Sequence, residues 1–252
     1  MYVLLIMKKS SVYSNTLSLL RAESSFEATL CYCYLSETID YEKIILSLHP
    51  YEQEYFNSLK FQKRANSYLI GRFAAKQAVA LLSGEKNLAN ILIPSGIFQQ
   101  PLVASGERGI QVSITHCDDF GAAIAFPEGH PMGIDMESIA AAQRSAMETV
   151  MTDREKEQLG SFAIGYEAGL TLLWTAKEAL SKVLRTGMMT PFEIFEIVNM
   201  EQWDHYVICY YKNFAQYKAA CFSLGSHFMC SIAYPLKTEL VFDFGTIKRH
   251  FA

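Results

Sequence analysis

The chain has no excess of positive charge. It carries 22 Lys and Arg against 26 Asp and Glu, a formal net charge of −4. That excludes the broad basic field of a nucleic-acid binder, so any anion site must be local. Long apolar runs are missing too. "MYVLLIM" at residues 1–7 is followed by lysines and is too short for a signal peptide's apolar stretch or a membrane span. The expectation is a protein with no targeting signal and no membrane partner. The six cysteines form no CxxC pair, and no histidine cluster accompanies them, so nothing suggests zinc. The closest two, Cys31 and Cys33 in "CYCY", alternate with tyrosines as in a buried strand. Free buried thiols and a cytoplasmic location are expected. No Walker-type glycine loop and no kinase catalytic loop is present, which counts against the common nucleotide phosphotransferases.

What is present points to a folded α+β protein. Half of the 252 residues are hydrophobic and 19% are charged, enough for one large domain or two half-size lobes. "ATLCYCYL" reads as a strand, and residues 40–82 read as two or more helices with apolar residues at helical spacing. "NILIPSG" and "QQPLVASGERG" read as short strands and turns. "IQVSITH" and "FGAAIAFP" read as paired strands with "CDD" at their turn, and "PMGIDMESI" as a further strand. "TDREKEQL" opens a helix, with Thr152 as N-cap and Glu155 completing a capping box. "LTLLWTAKEALSKVLRTG" is a helix with Gly187 as its expected C-cap. The tail reads as aromatic-rich strands ending near "FMCSIAYP".

Two short matches recur in the same order, roughly 100 residues apart. "FAAKQA" at 73–78 parallels "WTAKEA" at 174–179, and "AIAFP" at 123–127 parallels "SIAYP" at 231–235. They predict a duplicated α+β unit, with pseudo-symmetric lobes over 1–128 and 129–252 and a ligand cleft between them.

Four segments could carry chemistry. In "GIDMES", Asp135 and Glu137 are two apart, so on a strand both carboxylates share one face and Ile134 and Met136 the other. Two such carboxylates repel unless a cation sits between them, and Mg2+ is the simplest candidate; a solvated strand face is the alternative. On the "WTAKEALSK" helix, Thr175, Glu178, Lys182 and Arg185 fall on one stripe, opposite Leu173, Ala176, Leu180, Val183 and Leu184. Glu178 and Lys182 would also make an ordinary surface ion pair. Arg72 and Lys76 in "KRANSYLIGRFAAK" are like charges one turn apart, with Lys63 and Arg64 nearby, which suits a phosphate or a solvated face. His116 in "SITHC" ends a strand-like run.

Taken together, "KRANSYLIGRFAAK", "SITH", "GIDMES" and "WTAKEALSK" resemble, in order and spacing, the Sfp-type 4′-phosphopantetheinyl transferases. The resemblance spans residues 63–182 and implies that family's fold, two pseudo-symmetric lobes each built from a small antiparallel sheet packed with helices. It implies an enzyme of the holo-[acyl-carrier-protein] synthase type. Such an enzyme moves the phosphopantetheine arm of coenzyme A to a serine of an apo acyl or peptidyl carrier protein and releases 3′,5′-ADP. The carrier would belong to a fatty-acid, polyketide or nonribosomal-peptide synthase. By resemblance, Asp135, Glu137 and Glu178 would hold Mg2+; Lys182 would contact the pyrophosphate, with help from Lys177. Arg72 and His116 would bind the nucleotide end, with Arg64, Lys76 and Thr115 as further candidates. Asp135, Glu178 and Lys182 would be the catalytic group, with Glu178 as base, and the chain would act as a monomer. One departure stands out. Where the family often has Gly-Lys-Pro, "FQQPLV" offers Gln100, a hydrogen-bond donor without charge. The competing expectation is a paralogue that binds coenzyme A or a carrier without turnover.

Overall fold

The computed structural model describes residues 12–34, 41–104, 109–162 and 164–251. "MYVLLIM" lies outside the described residues. The chain divides into two compact units, one of residues 1–131 and 239–241, the other of residues 132–238 and 242–252. Each contains a five-stranded sheet in which all paired strands run antiparallel, so the fold is α+β.

The first unit begins with a hairpin of β1 (Val12–Arg21) and β2 (Ser24–Tyr34). Three helices follow: α1 (Tyr41–Leu46), α2 (Pro50–Ser58) and α3 (Gln62–Ser83). Next come β3 (Ile110–Cys117) and β4 (Phe120–Pro127), joined at the expected turn, where Asp118 takes a positive φ of 51°. A late strand, β10 (Glu239–Val241), pairs with β1, giving the order β10-β1-β2-β4-β3. The long helix α3 lies on this sheet. Its Leu69, Ile70, Ala74, Ala78 and Val79 pack with Cys31, Cys33, Ala123 and Ala125. Residues 91–104 do not form the expected strands; there the chain makes a loop closed by one bridge between Ser95 and Pro101.

The second unit contains β5 (Gly133–Ser138), α4 (Arg144–Thr149), α5 (Asp153–Leu159) and α6 (Tyr166–Leu184). A meander of β6 (Ile197–Gln202), β7 (Val207–Tyr211), β8 (Tyr217–Leu224) and β9 (Phe228–Pro235) follows, then α7 (Phe244–His250). The order is β5-β9-β8-β7-β6. Helix α6 fills the core with Leu170, Leu173, Ala176, Ala179 and Leu180, against Cys209, Ala219 and Ala233.

The expected capping box opens α5: the Thr152 side chain accepts from the Glu155 amide, and the Glu155 carboxylate accepts from the Thr152 amide at 2.8 Å. Helix α6 ends differently from expectation. Arg185, in the left-handed region at φ 57°, is its C-cap, and Gly187 lies in a following turn of 3-10 helix. All six cysteines are free and buried.

Two glycines allow each long helix to touch its sheet. A Cβ on Gly121 of β4 would lie 2.8 Å from the Ile70 carbonyl of α3. One on Gly133 of β5 would lie 2.1 Å from the Ala179 carbonyl of α6. No other residue fits so close a backbone approach.

Candidate functional site

Gly133 begins the segment "GIDMES", and its close approach brings α6 against β5. Along β5 the side chains alternate as expected. Ile134 and Met136 are buried in the core, and Asp135 and Glu137 face the other way. Asp135 is paired on the sheet with Ser231 of β9. The Ser231 hydroxyl lies 2.7 Å from Thr175 Oγ1, one turn before Glu178 on α6. Strand β9 and helix α6 are therefore cross-linked at the residue that pairs with Asp135.

Lys182 bridges α6 to β5 itself. Its Nζ donates to Asp135 Oδ1 at 2.7 Å and to the Ile134 carbonyl at 2.8 Å. Glu178 sits one turn earlier. Its Oε2 accepts from Ser181 Oγ at 3.3 Å, and its Oε1 is buried without a hydrogen-bond partner. Burial first, and the Asp135 charge second, push the Glu178 carboxyl above the usual carboxylate range; Lys182 and Ser181 oppose this. An acceptor buried without a donor is costly, which suggests that an outside cation completes it.

Glu137 is engaged differently. Its Oε1 accepts from the Ser138 amide at 2.9 Å and from Gln143 Nε2 at 3.1 Å. Among the described residues no three acidic, histidine or cysteine groups lie close enough together to hold a metal. The pair Asp135 and Glu178 still suits Mg2+, which takes one or two protein carboxylates and completes its shell with water and substrate phosphate.

Lys177, expected beside phosphate, faces the core. Its ammonium is fully buried and donates to Glu155 Oε2 at 2.8 Å and to the Val150 carbonyl at 3.2 Å. Neighbouring helix residues point about 100° apart, so Lys177 and Glu178 cannot share a face.

The first unit contains a separate cavity of about 230 Å³, formed by α2, α3, β3 and the loop after residue 94. Arg64, Arg72 and His116 line it, as do Tyr68 and Gln99. Arg72 is nearly buried, yet its Nε and Nη1 have no hydrogen-bond partner. Its guanidinium carbon lies 5.2 Å from the Tyr68 ring centre. Unpaired buried guanidinium donors beside a cavity are suited to a phosphate.

Two residues expected at this end lie elsewhere. Thr115 is buried on the β3 face opposite His116, because side chains alternate along a strand. Lys76 is fully buried and bonded to Glu52 Oε2 at 2.7 Å and to the Leu88 carbonyl at 3.1 Å; it also donates to the Ile91 carbonyl. Neither reaches the cavity. Gln100 also turns away. Its Oε1 accepts from the Phe98 amide at 3.0 Å, and its side chain packs on Gly96. The residue that lines the cavity is Gln99, held at a positive φ of 63°. Sequence reading missed Gln99 and Tyr68. Tyr68 had a signal, lying one turn before Arg72; Gln99 had none beyond its place before "QP".

Comparison with known proteins bears on the second unit most directly. Residues 131–233 match the family model described as the 4′-phosphopantetheinyl transferase superfamily. Over 141 residues the chain is 28% identical to "Enterobactin synthase component D" of Escherichia coli (strain K12), and equally to the proteins of that name from Escherichia coli O157:H7 and Shigella flexneri. The similarity covers 55% of this chain and 63% of each relative. The matched region, similar to that superfamily, holds Asp135, Glu137, Glu178 and Lys182.

Proposed function

We propose that this protein transfers the 4′-phosphopantetheine arm of coenzyme A to a serine of an apo acyl or peptidyl carrier protein, in a Mg2+-dependent reaction that releases 3′,5′-ADP. The observation that carries this reading is the orphaned Glu178 Oε1 beside the Asp135–Lys182 pair, within the matched residues.

Asp135 and Glu178 would hold the ion, with Glu137 nearby. The ion would neutralise the pyrophosphate and make its ADP portion a better leaving group. Lys182 places a positive charge beside the same oxygens. The serine oxygen bonds to the β-phosphorus, the pyrophosphate P–O bond breaks, and 3′,5′-ADP leaves. Glu178 is the proposed acceptor of the serine proton. Arg72, with Arg64 and His116, would take a phosphate of the nucleotide. Little covalent chemistry is asked of the protein; positioning and charge neutralisation suffice.

The test is intact-protein mass spectrometry of an apo carrier incubated with the protein, coenzyme A and Mg2+. A gain of one phosphopantetheine, lost with EDTA and with Asp135→Ala or Glu178→Ala, is expected. No gain across several carrier types, with coenzyme A still bound, would favour a binding protein without turnover. Retained transfer in either variant would refute the ion-binding assignment.

A further inference from the structure

Lys76 and Lys177 belong to two copies of one buried arrangement. In the second unit, the Glu155 carboxylate gathers three donors from three elements: the Thr152 amide at the start of α5, Lys177 Nζ on α6, and the Ile197 amide at the start of β6, each at 2.8 Å. In the first unit, Glu52 gathers the His49 amide before α2 at 2.9 Å, Lys76 Nζ on α3 at 2.7 Å, and the Ile93 amide at 3.0 Å. Both glutamates are the third residue of a helix that opens with a capping box.

Resting on the function proposed above, we propose that Glu155, acting through Lys177, is a positioning residue for Glu178, and that Glu52, acting through Lys76, is one for Arg72. Hydrophobic burial alone does not choose the rotation of these helices. On α6, Leu170, Leu172, Leu173, Thr175, Ala176 and Lys177 are all buried, so burial surrounds most of the axis. On α3 the buried residues run similarly around the axis, from Leu69 and Ile70 through Arg72 to Ala74 and Ala75. A helix buried on most sides has fewer differences in burial with which to select one azimuth. A directional ion pair with fixed amide partners selects one. Pinning Lys177 fixes its neighbour Glu178 toward Asp135. Pinning Lys76 fixes Arg72, one turn earlier, toward the cavity.

The duplication supplies its own control, because Gln77 stands in "FAAKQA" where Glu178 stands in "WTAKEA". The first copy thus has no carboxylate to orient, and the second has no counterpart of the arginine cavity among the residues named here. The experiment measures two probes on the full chain: Mn2+ by electron paramagnetic resonance, and 3′,5′-ADP by calorimetry. The variants are Glu155→Gln with Lys177→Met, and Glu52→Gln with Lys76→Met. Both are charge-neutral, and the glutamine carbonyl keeps an acceptor for one of the two amides each glutamate holds.

The expected pattern is crossed. The first variant weakens Mn2+ binding about tenfold or more and leaves 3′,5′-ADP within about twofold; the second does the reverse. If a double variant does not fold, Lys177→Arg and Lys76→Arg, which keep the charge but change its reach, give the same contrast. Equal losses of both probes, or no loss, with wild-type binding intact would overturn the positioning roles alone. A wild-type protein that binds neither probe would overturn the proposed function, and this inference with it.

Discussion

Lys76 and Lys177 occupy equivalent positions on α3 and α6, and each ammonium is buried against a glutamate lying about one hundred residues from its counterpart. Burial pushes both lysine pKa values down and the glutamates oppose the shift. Removing one partner leaves an uncompensated buried charge. Glu52→Ala is therefore expected to cost about 3–5 kcal/mol. Urea denaturation at neutral pH checks this, and a loss below about 1 kcal/mol would show that the site relaxes around the lysine.

The loop before β3 decides which glutamine matters to a phosphate ligand. Gln100 is committed to the Phe98 amide, whereas Gln99 lines the cavity with Arg72 and His116. Gln100→Lys should leave coenzyme A affinity unchanged. Gln99→Lys should tighten it several-fold, about 1 kcal/mol, by adding a charge where a neutral amide now stands. Calorimetric titration with coenzyme A separates the two, and equal effects would contradict this assignment of the loop.

Lys182 carries both a structural and a chemical load. It joins Asp135 to the Ile134 carbonyl and is itself only about a quarter exposed. Lys182→Ala should reduce stability without metal by about 1–2 kcal/mol, the pair being partly screened by solvent. Transfer should fall about 100-fold, the scale of losing one positioned donor to a phosphate. Comparing unfolding with the transfer assay distinguishes these effects; a loss of stability with full turnover would leave Lys182 a strut alone.

His130 is fully buried in the first unit, 5.7 Å from the Phe26 ring centre. Burial, with Arg21 nearby, pushes its pKa below 6.5. The unfolded chain thus takes up the proton before the folded one does. This stabilising contribution is present above pH 6.5 and is lost as pH falls toward the folded value. Stability should decline below about pH 6.5, and His130→Gln should flatten that slope. Denaturant midpoints from pH 7.5 to 5 test the expectation, and an unchanged slope would refute it.

Local patterns carried much of this reading. Alternation in "GIDMES" correctly placed Asp135 and Glu137 opposite Ile134 and Met136, and Thr152 with Glu155 marked the start of α5. The buried lysines were not legible, because a lysine's surroundings depend on a glutamate some twenty residues earlier in the chain. "KEAL" reads the same whether its lysine meets solvent or a carboxylate. Thr115 was adjacent to the right residue on the wrong face. The helix end was missed because Arg185 takes the left-handed conformation that glycine usually supplies, and sequence favours Gly187 for it.

Strand β10 sets an order of events during synthesis. Its three residues are Glu239, Leu240 and Val241, yet they complete the sheet begun by Val12. Until they leave the ribosome, Ser18, Leu19 and Leu20 of β1 lack these strand partners, an invitation to pair with another chain. A fragment cut after Pro131 would keep that bare edge permanently. The first half of the chain is thus an unfinished fold until the last strand is made, and dissecting the protein into its two halves should yield an aggregation-prone amino-terminal piece.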